Sequence, residues 1–108
     1  MRKIAANYIL LPGFELVRNG YVVLKDEVVT DVVDTGGEIK EIPCLEFYGG
    51  MIVADFIRDA VTWQEGDDIL VKVGACYSEK RGGGLAIIQG ADFSRFSWTK
   101  DTRIVRLK

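Results

Sequence analysis

The chain has 108 residues, 48% of them hydrophobic and 28% charged, and a formal net charge of −2 from 14 basic and 16 acidic side chains. That is the length and composition of one globular domain able to bury its own core. The two signs of charge are interspersed, which leaves no basic face for nucleic acid or an anionic membrane, and the lack of any histidine removes the commonest general acid–base and the commonest zinc ligand.

Cys44 and Cys76 stand alone, with no CxxC spacing. They read as buried or idle thiols of a reducing compartment, and a cytoplasmic location is the expectation. Met1, Arg2 and Lys3 followed by a short apolar stretch give a faint signal-peptide outline. Asn7 and Tyr8 interrupt it, and no small-residue cleavage site follows, so a first strand over residues 4–11 is the better reading. No run approaches the length of a membrane span.

Pro12-Gly13 ends that strand with a turn. Asn19-Gly20, between apolar runs, reads as a hairpin turn, because both residues tolerate positive φ. Residues 21–25 form the next strand, Asp26-Glu27 a tight turn, and the β-branched residues 28–34 another strand. Thr35, Gly36 and Gly37 break it, and residues 38–43 read as irregular, anchored by Ile39 and Ile42. Two short strands, 44–48 and 51–53, then flank a Gly49-Gly50 turn.

From Ala54 the period changes. Phe56, Ala60 and Trp63 recur at helical spacing, with Ile57 and Val61 beside them, predicting one short helix over residues 55–65. Asp55 is its expected N-cap and Gly66 its stop. Residues 69–73 read as a strand, 78–84 as a loop, and the apolar run 85–88 as a buried strand. Gly90, Ala91 and Asp92 turn the chain, residues 93–98 alternate, 99–102 turn, and 103–108 form a last strand. The expected fold is therefore mainly β: a two-sheet sandwich or partly open barrel of about eight or nine short strands with one short helix, in one domain spanning residues 1–108.

Isolated chemical signals are weak. Lys80-Arg81-Gly82-Gly83-Gly84 has the glycines of a phosphate-cradling loop, but GxxxxGK[ST] between a strand and a helix is missing, and a hairpin loop is the reading. Asp67 and Asp68 with Glu65 lack EF-hand spacing and read as a solvated turn rather than a cation site. Cys76 has no histidine to make it a nucleophile. Trp63, Trp98, Phe93 and Phe96 suit core packing better than a ligand pocket.

Larger blocks carry more. The strands through residues 3–23, then 28–37, then Leu45-Glu46-Phe47-Tyr48-Gly49-Gly50-Met51-Ile52-Val53, resemble the N-terminal part of the small β-sandwich of metal-dependent amidohydrolases, especially the chlorohydrolase and cytosine-deaminase-like branch. The block from Gly74 through Leu85-Ala86-Ile87-Ile88 to Leu107 resembles the C-terminal strands that complete that sandwich. In the family a (β/α)₈ barrel lies between the two blocks, entered by Pro-Gly-Phe and then His-x-His, whose histidines bind metal. Here the entry is Ala54-Asp55-Phe56, the two ligand positions fall on Ala60 and Thr62, and a short stretch stands where the barrel would be.

The resemblance thus implies a barrel-less small domain with no catalytic residue, no metal and no cofactor. It acts by binding or self-assembly, or as an accessory subunit that completes a separate amidohydrolase barrel in trans. It also implies a sandwich face without its usual cover, since an open patch of several hundred Å² invites association. Either the segment around Phe56 and Trp63 folds back over that face, or a second copy covers it. A homodimer is expected, with Phe56, Ile57 and Trp63 in its contact.

Overall fold

A computed structural model describes residues 2–12, 15–26, 28–34, 45–57, 62–77 and 84–107. The chain is mainly β, as expected. Its regular elements are β1 (Arg2–Ile9), β2 (Val17–Lys25), β3 (Val28–Asp34), β4 (Leu45–Ala54), the helix α1 (Ile69–Tyr77), β5 (Leu85–Gln89) and β6 (Arg103–Arg106). The six strands form one sheet in the order β3-β2-β1-β4-β5-β6. β1 and β4 run parallel, and every other neighbour is antiparallel. Among the described residues this is a single sheet, in place of the two sheets or partly open barrel of eight or nine strands that the sequence suggests.

Local chemistry accounts for the difference. Residues 69–73 look like a strand by β-branched content but begin α1. Ile69 and Val73, four apart, are fully buried on one helical face. Asp68 caps that helix, its Oδ1 accepting the Val71 amide at 3.1 Å. Replacing Asp68 with alanine is expected to cost about 1 kcal/mol, seen as a fall in Tm of roughly 4 °C by calorimetry.

The two short strands expected around Gly49-Gly50 are one strand, β4. Ala6 pairs with Tyr48 and Tyr8 with Met51, so Gly49 and Gly50 together lie opposite Asn7. The glycine pair makes a bulge rather than a turn. Residues 93–98 alternate in polarity but curl into a turn closed by an Asp92–Ser97 bridge.

Asn19-Gly20 likewise lies inside β2 rather than at a hairpin tip. Asn19 does take positive φ, at 55°. Gly20 is needed for another reason: a Cβ there would run into the Val33 carbonyl oxygen on β3. Asp26, at φ 52°, does turn the chain, just beyond the Lys25–Val28 pair that ends the ladder. Of the helix expected over residues 55–65, Asp55 and Phe56 form a turn and Ile57 is helical; Thr62, Trp63 and Gln64 are not, and residues 58–61 lie outside the described residues.

The sheet is buried on both faces. Ile4, Val22, Leu24, Ile52, Leu85 and Ile87 make one apolar cluster. Met51, Val53, Ala86 and Ile88 face the other way and are covered by Ile57 and by Ile69 and Val73 of α1. Alternate residues of β4 and β5 thus serve opposite clusters. No helix among the described residues is long and apolar enough to cross a membrane.

Candidate ligand-binding groove

Next to the bulge is a groove of about 420 Å³, lined by Asn7 and Tyr8 of β1, Arg18 and Asn19 of β2, and Phe93. That is within the size range of small-molecule sites. Its origin lies in two adjacent strands that leave ideal geometry at the same level. Ala6 pairs with Gly20 and Tyr8 with Arg18, which sets Asn7 and Asn19 between those pairs. Ile4, Ala6 and Ile9 belong to one cluster while Tyr8 packs on the other, so strict alternation along β1 breaks between Ala6 and Ile9.

Asn7 is exposed, and its Oδ1 accepts the Gly50 amide at 3.0 Å. That bond satisfies the backbone at the bulge and fixes the side-chain amide. Because the amide oxygen faces Gly50, the Nδ2 group is left with two donors. Arg18 is exposed and makes no ion pair among the described residues, which leaves its guanidinium donors available.

The aromatic wall is held from behind. Tyr8 lies against Phe93 at 5.4 Å and 30°, and meets Phe96 edge-on at 5.0 Å and 73°. Phe93 and Phe96 are themselves edge-to-face at 6.3 Å. The turn carrying both is tied by Asp92, whose amide donates to the Ser97 carbonyl at 3.1 Å and whose carbonyl accepts the Ser97 amide at 3.0 Å. The Asp92 carboxylate also accepts the Ser94 amide and hydroxyl. The Ser94 hydroxyl bond, with backbone help, holds the Asp92 carboxyl below its ordinary range. Phe96 takes φ 51°, which swings its ring back onto Tyr8.

The residues singled out from the sequence are dispersed. Ile57 is fully buried in the core, which removes it from any contact with a second copy. Phe56 meets Tyr77 edge-on at 5.8 Å, and Trp63 stacks on Trp98 at 4.5 Å and 10°. The Trp63 Nε1 is buried without a hydrogen-bond partner. Thr62 is exposed and offers its carbonyl to Lys72 Nζ at 2.8 Å; Ala60 lies outside the described residues. Cys76 is a partly buried free thiol, and Cys44 lies outside the described residues. Of the Lys80 to Gly84 loop only Gly84 is described.

Asp67 and Asp68 are engaged within the chain. Asp67 accepts Lys72 Nζ at 2.6 Å and the Gln64 amide at 2.7 Å, and both bonds lower its pKa, Lys72 first. Lys72 Nζ also lies 5.6 Å above the Trp63 ring. With Asp68 capping α1, that turn is a helix start. Among the described residues no three His, Cys, Asp or Glu side chains come together as metal ligands.

Comparison with family models, curated proteins and solved structures finds no match to this chain.

Proposed function

We propose that this is a non-catalytic binding protein, built like the small composite domain of amidohydrolases with the barrel replaced by a short connector. One observation supports it most. β4 and β5 pair through Val53–Ala86 and Ala54–Leu85, and the Asp55 amide then donates to the Gly84 carbonyl at 2.9 Å. The chain leaves the sheet and re-enters it at one point, and the stretch between covers the sheet with Ile57, Ile69 and Val73. A chain that supplies its own cover has less need of a barrel subunit or a second copy. This favours independent action over the accessory-subunit reading, and ligand binding over self-assembly. Phe56 and Trp63, each partly exposed, are what remains of the expected homodimer contact.

The test is the chain expressed alone. A cooperative thermal transition is expected, with no chelator-sensitive hydrolysis of cyclic amides or aminated heterocycles after zinc addition. Folding only on co-expression with a barrel protein would overturn the reading in favour of the accessory subunit. Zinc-dependent turnover would overturn the non-catalytic assignment.

A further inference from the structure

Building on the binding reading, we propose that the groove at Asn7, Tyr8, Arg18 and Phe93 takes a small aromatic carboxylate. The polar groups it offers are unbalanced. Arg18 is a pure donor, Asn7 offers both Nδ2 donors while its Oδ1 already accepts the Gly50 amide, and only Asn19 and the Tyr8 hydroxyl can donate or accept alike. No carboxylate is among the described lining residues. Such a groove solvates an acceptor-rich group and does little for a cation. Guanidinium forks match carboxylates in geometry as well as charge.

The apolar side is as specific. Phe93 and Tyr8 form one wall, and Phe96 and the Asp92–Ser97 turn hold that wall in place. A flat ring placed against Phe93 loses little freedom on binding, because the surface it meets is already ordered. Asn7 and Arg18 come from neighbouring strands of the same sheet, at the level where Tyr8 pairs with Arg18. A ring against Phe93 with its carboxylate toward Arg18 and Asn7 satisfies both sides together. The chain's net charge of −2 makes a free guanidinium beside aromatic rings more telling, since bulk charge gives an anion no reason to associate.

The experiment titrates benzoate, benzamide and benzylamine separately into the ¹⁵N-labelled full chain and follows amide shifts. Benzoate is expected to move Asn7, Tyr8, Arg18 and Phe93. Benzamide should bind about tenfold more weakly or worse, for loss of one charge-assisted contact. The R18Q variant, at an exposed site whose fold the same spectra check, should lose about tenfold for benzoate and little for benzamide. Equal affinity for benzoate and benzamide, or an unchanged benzoate affinity in R18Q, would overturn the carboxylate assignment. If benzylamine alone shifts these residues, the ligand class is wrong while the binding reading stands. If none of the three moves the groove residues, the groove assignment fails, while the binding reading is decided by the test of the chain expressed alone.

Discussion

Replacing Gly50 with alanine is expected to unfold the protein or bring it close to unfolding, at a cost of about 3 kcal/mol or more. Two effects combine. Gly50 has φ 133°, a conformation that L side chains rarely adopt. A Cβ there would also run into the carbonyl oxygen of Ile88 on β5, with Ile87 Cγ1 at 3.2 Å. The obstacle is backbone in the middle of a paired strand, so it cannot move aside without breaking the β4–β5 ladder. The same substitution at Gly74 is the control. Nothing lies within 4 Å of a Cβ there, the site is exposed, and it falls within α1. Gly74→Ala should stabilise by about 0.5–1 kcal/mol through helix propensity. Urea denaturation of the two variants checks both signs.

Tyr77→Phe is expected to cost about 2–3 kcal/mol, because one atom ties three elements. The Tyr77 hydroxyl donates to the Leu10 carbonyl at 2.6 Å and accepts the Ala54 amide at 2.9 Å. Leu10 follows β1 and Ala54 ends β4, so the last residue of α1 clasps the parallel pair at its C-terminal end. Removing the oxygen strands a donor and an acceptor beside the core.

The pH dependence follows from burial, which pushes the Tyr77 phenol above its ordinary value of 10.0. A raised pKa means that the folded state keeps the proton after the unfolded chain has lost it. The contribution is complete below pH 10 and falls as pH rises beyond that value. Wild type and Y77F should therefore differ most near neutrality and converge in strong alkali. A gap that is constant from pH 7 to 11 would contradict this account.

Much of the sheet was legible from local pattern. β1, β3 and β5 fall close to the runs read as strands, because each is dense in β-branched or apolar residues and bounded by turn chemistry. The failures share one cause. Gly49-Gly50, Asn19-Gly20 and the run from Ile69 to Val73 each allow two local structures, and tertiary contact chose between them. The glycine pairs are turn formers by propensity, but here they serve strand contacts: Gly50 approaches β5 and Gly20 approaches β3. The five residues from Ile69 are too few to separate a buried strand from a buried helix face.

The groove was less legible than the sheet. Phe93 was visible as an aromatic with two possible roles. Asn7 appeared only as an interruption in an apolar run, and Arg18 carried no signal. What unites them is the level at which β1 shifts register against β4 and Asn19 of β2 takes positive φ, which depends on β4 arriving alongside. A signal did exist: a polar Asn inside an otherwise buried strand, where its side chain must satisfy some backbone group.

The meeting of Asp55 with Gly84 has an architectural consequence. A sheet whose chain exits and returns through neighbouring positions accepts inserts of very different size without changing its own pairing. What the insert cannot escape is the apolar surface beneath it, where Met51, Val53, Ala86 and Ile88 are shielded by Ile57, Ile69 and Val73. Any longer graft at that doorway inherits the duty of a roof, so exchange here is limited by the underside of the graft rather than by its length.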